Sequence, residues 1–412
     1  MQARQIGLQC RSCGRLEEHN LNALACEQCG GPLRVLFDAD DLKKVLSGPR
    51  LMADAWTLME QWHAILPVTD QSLIARVSLG ERETPLLPSN RCGAELGIQK
   101  LYFKIEEGPT LSLKDRGTAL CVLKALEAGC STVCVASSGN NAASVSAYGS
   151  RAGLRAVVFV QKQVSEAKIF KSLLHGGRVV RLDGDMAAAS AVCNEMVRRH
   201  NWFQCGGPNP YRIAGKRTFA YGLVQQLGCA PDTVLIPCGG GAGMVAAYDA
   251  FRELLEAGVI DHMPRLVGVQ LTACDPTAQA FHAGRDEVVP VKKSPSLSDA
   301  IMNNNPYWGR VCVEAARATK GTMISVTDEE FVQAIRRLGS REGLFAEPAG
   351  AVTTAALKKL LDVPGFADPG ITVCNITGHG LNAPHIAADS RNIPPVTEAS
   401  ADAVEAFLAS GE

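Results

Sequence analysis

The chain is poor in aromatic residues and has almost no net charge. Phe, Trp and Tyr make up 5% of its 412 residues, and 41 basic residues stand against 42 acidic ones. A nucleic-acid surface needs a basic patch, and one that binds single strands also needs aromatic side chains for stacking. The composition therefore argues against nucleic acid as the main partner.

The sequence also lacks a long hydrophobic run. Gly, Asp, Arg or Lys interrupts every segment that could otherwise span a membrane. The first residues, 1–9, carry no apolar core of a secretion signal. The 15 cysteines are an odd number and fit reduced thiols better than a disulfide framework. We therefore expect a cytoplasmic protein without a membrane partner.

A glycine-rich segment lacks the two common nucleotide-binding signatures. Residues 237–243 read PCGGGAG and lie between a predicted strand at 233–236 and a predicted helix at 244–255. No G-K-[ST] ends the segment, and the G-x-G-x-x-G register is absent. Because few side chains are in the way, the backbone could still bind a phosphate. A packing turn is the structural alternative.

Lys114 lies in a segment of small, hydroxyl and turn-forming residues that reads PTLSLKDRG at 109–117. Burial among weakly polar neighbours disfavours the charged form of an amine and lowers its pKa. Such an amine can attack an aldehyde and form a Schiff base. A surface lysine in a charged Lys-Asp-Arg turn is the alternative.

Two more loops follow apolar strands. Residues 137–141, SSGNN, precede an Ala-rich helix, and a helix start of this kind favours an anion such as a carboxylate. An ordinary helix cap would explain the same residues. Residues 377–380, TGHG, follow a predicted strand at 371–376. The Thr377 hydroxyl could bond an aromatic nitrogen without charging it, whereas His379 suits a structural role better.

The amino-terminal part contains two Cys-x-x-Cys motifs, Cys10 with Cys13 and Cys26 with Cys29, each followed by glycine. Four thiolates at this spacing can surround a zinc ion as a tetrahedron. Because no coordination position would stay open, the pattern favours a structural metal over a catalytic one. A redox-active pair, or a ribbon without metal, are the alternatives.

Apolar strands that alternate with helical stretches predict an α/β protein. The strands expected in a small parallel sheet are 132–136, 154–160 and 178–182, and those expected in a larger one are 233–236, 265–270, 322–326 and 371–376. We predict a zinc-ribbon-like module at 1–36, a helical linker at 37–75, a large domain at 76–128 and 203–390, a small domain at 129–202 and a tail at 391–412. Since ligands bind at the carboxyl ends of parallel strands, the three loops should meet between the two domains.

In this order the segments resemble the fold-type II pyridoxal phosphate enzymes, and among them the threonine synthase family most closely. The motifs are SLGE at 78–81, TPL at 84–86, the lysine segment, SSGN, NPYR at 209–212, the glycine loop, VTDEE at 326–330, EGLFAEPA at 342–349 and TGHG. The resemblance implies two doubly wound parallel-sheet domains of the tryptophan synthase β type, with pyridoxal 5'-phosphate between them. It also implies an amino-acid substrate and a homodimer.

The resemblance assigns roles to single residues. Lys114 would hold the cofactor and move protons between carbons of the bound amino acid. The other cofactor ligands would be Asn140 at the phenolic oxygen, Gly239, Gly240, Gly241, Ala242 and Gly243 at the phosphate, and Thr377 at the ring nitrogen. The substrate ligands would be Thr84, Ser137, Ser138 and Asn141 at the carboxylate, and Asn209 and Arg212, with Lys216 as a further candidate, at a phosphorylated side chain.

The implied reaction converts O-phospho-L-homoserine and water to L-threonine and phosphate by γ-elimination and β-hydration. The chain departs from the family pattern near the substrate, because Gly240 and Gly243 stand at asparagine positions, Leu111 at a glycine position and Gly222 where a glutamate is usual. These departures leave two alternatives open: β-elimination, as in serine or threonine dehydratases, and β-replacement, each on a related amino acid. A non-catalytic protein, in which Lys114 is idle and the ribbon docks a partner, is a third.

Overall fold

The computed structural model describes residues 2–17, 23–48, 57–298, 300–387 and 396–409. Within these ranges no helix is both long and apolar enough to cross a membrane. Parts of the predicted ribbon, linker and tail, at residues 18–22, 49–56, 391–395 and 410–412, lie outside the described residues.

The strands are β1 Gln5–Cys10, β2 Leu16–Glu17, β3 Leu33–Phe37, β4 Leu86–Pro88, β5 Leu101–Ile105, β6 Thr132–Ala136, β7 Arg155–Gln161, β8 Arg178–Leu182, β9 Phe203–Gln204, β10 Thr233–Pro237, β11 Arg265–Leu271, β12 Thr322–Val326 and β13 Thr372–Ile376. The helices are α1 Ala39–Leu46, α2 Leu58–Trp62, α3 Ile74–Val77, α4 Cys92–Leu96, α5 Lys114–Glu127, α6 Asn140–Arg151, α7 Glu166–Leu174, α8 Met186–His200, α9 Pro210–Leu227, α10 Ala242–Glu256, α11 Pro276–His282, α12 Gly309–Ala318, α13 Asp328–Arg337, α14 Pro348–Leu361, α15 Pro384–Ala387 and α16 Ala401–Ala409. Short 3-10 turns lie at His63–Ile65, Gln71–Leu73 and Gly380–Asn382, and a π-helical turn at Leu338–Glu342.

The strands form three sheets. The small sheet has the order β8-β7-β6-β9 and is parallel throughout. The large sheet has the order β12-β11-β10-β13-β5-β4 and is parallel except for its edge strand β4. A third, antiparallel sheet has the order β2-β1-β3 and forms the amino-terminal module. The predicted α/β class with two parallel-sheet domains is confirmed, and β4 adds one antiparallel strand.

The small sheet extends past residue 202, where the small domain was predicted to end. β9 begins one residue later, and its Phe203 and Gln204 pair in parallel with Val133 and Cys134 of β6. Both residues of β9 are buried, and two residues are too few to show a periodic pattern. The strand was therefore not visible in the sequence, and the domain boundaries stay a prediction.

Two glycines allow α5 and α9 to pack closely. A Cβ on Gly215 would overlap the carbonyl oxygen of Arg116, and a Cβ on Gly117 would lie 2.7 Å from the carbonyl oxygen of Arg212. Backbone atoms cannot give way to such a contact without moving the helix, so alanine at either position would separate the two helices. This crossing places Lys114, at the start of α5, against the first turns of α9.

A buried ion-pair network lies beside this crossing. The Lys104 Nζ is 2.7 Å and the Arg116 Nη2 is 2.8 Å from Oε1 of Glu83, and Arg116 also donates to Glu106 at 2.6 Å. Burial raises the pKa of the Glu83 carboxyl, but the charges of Arg116 and Lys104 outweigh it and lower that pKa to about 2. Glu83 is therefore ionised at every pH at which the protein is expected to work.

We expect Glu83→Gln to lower the free energy of unfolding by about 3 to 5 kcal/mol, because it leaves two buried cations short of a partner. Glu83 has a folded-state pKa below its ordinary value of 4.5, so its stabilisation is present above pH 4.5 and is lost as pH falls towards about 2. Denaturant unfolding between these pH values measures both effects. Glu95→Gln, which removes an exposed partner of Arg341, is the control and should change little. Equal stability of the two variants would contradict the prediction.

Candidate active site

The three loops singled out in the sequence lie next to one another. The backbone N–H of Leu113 donates to the carbonyl oxygen of Thr377 at 3.0 Å, which joins the TGHG loop to the lysine segment. A Cβ on Gly243 would lie 3.8 Å from the Leu113 side chain, so the glycine loop touches the same segment. The SSGNN loop reaches them through Asn140, whose side-chain amide donates to Glu347 at the start of α14.

Lys114 is the first residue of α5, and its amine has no hydrogen bond or ion pair among the described residues. Burial, and next the positive charge of Arg212, lower the pKa of Lys114 to about 8. The carboxylates of Glu347 and Asp115 act in the opposite direction. A sizeable fraction of this amine is therefore in its nucleophilic, unprotonated form near neutral pH.

Two more cations lie beside Lys114. Lys216 is 2% exposed, and burial lowers its pKa well below the usual value, with Arg212 and Lys114 adding to the shift. Burial also lowers the pKa of Arg212, whose buried Nε has no hydrogen-bond partner. Neither residue forms a salt bridge within the part of the chain that the structure describes. Burial leaves the two amines partly neutral, and an anion bound between these three basic groups would favour their charged forms, so they form a candidate anion site.

The glycine loop offers free N–H groups at a helix start. The N–H groups of residues 239–243 have no acceptor among the described residues, and α10 begins at Ala242. Gly241 adopts a φ of +89°, and its Cβ would lie 2.5 Å from the Cys312 sulfur, while a Cβ on Gly239 would lie 2.9 Å from the Cα of Ile301. The loop is therefore a tight packing turn and, at the same time, a place where an anion can bind.

The SSGNN loop leads into α6, whose N-cap residue is Gly139, without a side-chain capping bond among the described residues. The hydroxyl of Ser137 accepts the N–H of Gly139 at 3.4 Å, and Ser137 and Ser138 are half-buried. The side-chain amide of Asn141 donates to the carbonyl oxygen of Cys205 at 3.3 Å, away from the lysine. Contact between Asn141 and a substrate carboxylate, which stays a prediction, would therefore use its backbone N–H.

The remaining predicted ligands differ in whether their side chains already have hydrogen-bond partners. The Thr377 hydroxyl is buried and has no partner among the described residues, so it can accept a new contact. The Thr84 hydroxyl instead donates to Glu106 at 2.7 Å. The Asn209 side-chain oxygen caps α9 by accepting the N–H groups of the next two non-proline residues at 2.9 and 3.3 Å. Substrate contacts by Thr84 and Asn209 stay predictions.

Glu347 is a site residue that the sequence analysis did not single out. It is 4% exposed and accepts from Asn140 at 2.8 and 3.0 Å. Burial raises the pKa of its carboxyl, while the hydrogen bond from Asn140 and the charge of Lys114 oppose that rise. The sequence did offer a signal for Glu347, because this residue lies in the EGLFAEPA motif, directly before Pro348 and the start of a helix.

Lys171 is a second residue that was missed. It lies on α7 of the small domain, yet its amine contacts the side-chain oxygen of Asn382, just after the TGHG loop. Burial lowers the pKa of Lys171, and the charges of Glu347 and Asp115 act against that shift. A cation from the small domain therefore reaches the acidic groups of the site, although nothing in its local sequence indicates this.

The four cysteines of the amino-terminal module come together. Their sulfur atoms all lie within 4.8 Å of one another, with Cys10 3.5 Å from Cys29 and Cys13 3.7 Å from Cys26. A tetrahedron of sulfurs around zinc, at about 2.3 Å from the metal, has edges of about 3.8 Å. The N–H groups of Ser12 and Cys13 point to the Cys10 sulfur at 3.4 and 3.5 Å. The cluster therefore fits a four-thiolate zinc site.

The chain has relatives among characterised sequences. The sequence profile of a family described as pyridoxal-phosphate dependent enzyme matches residues 77–378. The chain is 33% identical to threonine synthase of Methanocaldococcus jannaschii over 97% of its own length and 98% of that protein. It is 32% identical to threonine synthase of Methanosarcina acetivorans, covering 96% and 97%, and 35% identical to that of Synechocystis sp., covering 83% and 87%.

Solved structures share the fold. Maize serine racemase matches with a TM-score of 0.66 and 20% identity, over 77% of this chain and 96% of that one. A fungal L-serine ammonia-lyase from Rhizomucor miehei matches with a TM-score of 0.61 and 19% identity, over 72% and 94%. At these identities the comparison shows the arrangement of sheets and helices and nothing about the substrate.

Proposed function

Because the chain belongs to the family of pyridoxal-phosphate dependent enzymes, we propose that it is a lyase that converts O-phospho-L-homoserine and water to L-threonine and phosphate. Relatives named threonine synthase, which match almost the full length of the chain, support the proposal. The observation that carries it is the pair Arg212, half-buried, and Lys216, 2% exposed, which lie beside Lys114 and form no salt bridge among the described residues. This pair supplies a second anion site in addition to the glycine loop.

The residues present fit pyridoxal phosphate. The N–H groups at 239–243 and the Thr377 hydroxyl have no partners among the described residues, and they suit its phosphate and its ring nitrogen. The amide of Asn140 donates to Glu347 and would have to turn from that carboxylate to reach the phenolic oxygen. Lys114 supplies an amine that forms no ion pair with a described carboxylate. When bound, this cofactor withdraws electrons from Cα of the amino acid attached to it.

The side chains around the cofactor would carry out proton transfer and bind the two anionic groups of the substrate. Lys114 would take the proton from Cα and then one from Cβ, because its lowered pKa allows the amine both to accept and to release a proton near neutral pH. The start of α6 would hold the substrate carboxylate. Arg212 and Lys216 would hold the phosphate on Cγ and stabilise the dianion as it leaves. Water would then add its hydroxyl at Cβ and leave its proton on the released phosphate, and Lys114 would return one proton to Cγ and one to Cα, so that the protons balance.

We also propose that Cys10, Cys13, Cys26 and Cys29 bind a structural zinc ion, on the support of the sulfur distances given above. The homodimer and the cytoplasmic location stay predictions.

Product analysis tests the proposed reaction. The full-length protein with pyridoxal phosphate is incubated with O-phospho-L-homoserine, and phosphate, L-threonine and ammonia are measured. We expect equal amounts of threonine and phosphate and no ammonia. L-Homoserine, which lacks the phosphate, is the matched substrate control and should not react.

One result would overturn the proposal in favour of β-elimination. That result is ammonia and a 2-oxo acid from L-threonine or L-serine, together with no turnover of O-phospho-L-homoserine. The glycine loop is the feature that favours it, because Gly240 and Gly243 offer backbone N–H groups in place of the asparagine amides of threonine synthases.

A further inference from the structure

The ribbon touches the catalytic body through a buried ion pair. Arg11 lies inside the first Cys-x-x-Cys motif, and its guanidinium donates with two nitrogens to the carboxylate of Asp249 on α10, one of them at 3.0 Å. The Arg11 side chain is 10% exposed and that of Asp249 is 1% exposed. A pair so deeply buried is costly to form and still more costly to break on one side, so its geometry is held firmly.

The same carboxylate connects the ribbon to α9. Arg217 on α9 lies 3.5 Å from Asp249, donates to Glu253 at 2.9 Å and donates to the carbonyl oxygen of Val35, in ribbon strand β3, at 3.1 Å. α10 begins at the glycine loop, and α9 carries the cations proposed to bind the substrate phosphate. Both helices therefore share one buried charge cluster with the ribbon.

Trp308 provides a second and more direct connection between the ribbon and the glycine loop. The Arg11 guanidinium lies 5.8 Å from the centre of the Trp308 ring, which is 1% exposed. A Cβ on Gly241 would lie 2.9 Å from the Trp308 Cβ, so this residue packs directly on the glycine loop. The indole N–H donates to the carbonyl oxygen of Gly207, two residues before α9's cap, at 3.2 Å. Trp308 thus contacts the ribbon, the glycine loop and the entry to α9.

We propose that Arg11 and Trp308 are positioning residues, through which the metal-loaded ribbon holds the 239–243 loop in the conformation that binds pyridoxal phosphate. The ribbon is then a working part of the active site, and not only an attached module. Without metal, the 10–13 turn keeps backbone bonds such as that from the Arg11 N–H to the carbonyl oxygen of Pro32 at 2.8 Å, but the thiolates no longer fix its shape. The Arg11 guanidinium is then held less firmly against Asp249 and Trp308.

The affinity of the full-length, zinc-loaded protein for pyridoxal phosphate, measured by absorbance titration after removal of bound cofactor, tests the proposal. We expect Arg11→Gln to raise the dissociation constant by about tenfold and Arg11→Lys, which keeps the charge, to recover part of the loss. Trp308→Phe keeps an aromatic ring but loses the hydrogen bond to the carbonyl oxygen of Gly207, and it should also weaken the binding of pyridoxal phosphate. Arg4→Gln is the matched control, since Arg4 lies in the same module but its side chain is 72% exposed and pairs with Asp38.

Zinc removal by a chelator gives the decisive comparison. Zinc removal should raise the wild-type dissociation constant for pyridoxal phosphate by about the same factor as Arg11→Gln does. It should raise that of the Arg11→Gln variant little further, because the variant has already lost the contact between the ribbon and Asp249. Equal weakening of both proteins by zinc removal, or an equal effect of Arg11→Gln and Arg4→Gln, would overturn the proposal. The readout is cofactor affinity, so the result stands whether or not O-phospho-L-homoserine is the substrate.

Discussion

Lys114→Ala is expected to lower turnover by at least about 10³-fold, since proton transfer by a positioned side chain alone contributes about 10²- to 10⁴-fold. The variant loses two functions at once, the amine that holds the cofactor and the base that moves protons at Cα and Cβ. Among the described residues, neither of the two other lysines near the site is expected to replace it, because Lys216 on α9 belongs to the proposed phosphate site and Lys171 contacts Asn382. The measurements are product formation and the cofactor's visible absorbance.

The control for this prediction is Lys162→Ala, which removes an exposed lysine paired loosely with Asp183 at 3.4 Å. We expect it to leave both readouts unchanged. Lys114→Arg keeps the positive charge but cannot react with the aldehyde, so it should be as inactive as the alanine variant. Turnover by either Lys114 variant at a tenth of the wild-type rate or more would mean that another group is the base.

The parts of the fold that the sequence predicted are those with a local pattern. Strand β7 was expected at 154–160 and runs from Arg155 to Gln161, because a run of apolar residues buried on both faces bounded by turn residues is a strong strand signal. β5, Leu101–Ile105, was missed although it has five residues, most of them apolar. β4 and β9 were missed because they have three and two residues. At that length, only the partner strand decides whether a segment pairs.

Two departures from the family pattern become clear only in three dimensions. Leu111, which stands at a glycine position, keeps a left-handed φ of 65°. Its carbonyl oxygen accepts from the N–H of His379 at 3.1 Å and from Asn382 at 2.9 Å, and these bonds offset the strain. Gly222 replaces a glutamate, and a Cβ there would overlap the carboxylate of Glu83. The acid at 83 therefore occupies the space that a side chain at 222 would need.

The site could be predicted in part. The lysine segment, the helix start and the glycine loop are each recognised from a short stretch of sequence that follows a strand. Loops at the carboxyl ends of parallel strands lie at one edge of a sheet, so the sequence also predicted that these segments meet. The contacts made by Glu347 with Asn140, and by Lys171 with Asn382, each join residues about 200 positions apart. Such pairs depend on how the two domains are docked, and no local pattern carries that information.

Arg212→Gln is expected to raise KM for O-phospho-L-homoserine by about 10- to 150-fold, since a hydrogen bond to a charged group contributes about 1.5 to 3 kcal/mol. The guanidinium pairs with no carboxylate in the part of the chain that the structure describes, so its binding energy is available to the incoming phosphate. Steady-state kinetics of threonine formation measure the effect. Arg212→Lys should recover part of it, and Arg155→Gln, at an exposed arginine that begins β7, is the control.

The same substitution should also change the titration of the active-site amine. The charge of Arg212 contributes to the lowered pKa of Lys114, about 8, so its removal moves that pKa back towards the ordinary 10.5. In the cofactor-free protein, the reaction of Lys114 with an amine-selective reagent should then require a higher pH than in the wild type. A rise in KM without this shift would mean that Arg212 lies too far from Lys114 for both to contact one substrate. A shift without a rise in KM would mean that the substrate phosphate binds elsewhere, and either result would remove the main support for a phosphorylated substrate at this site.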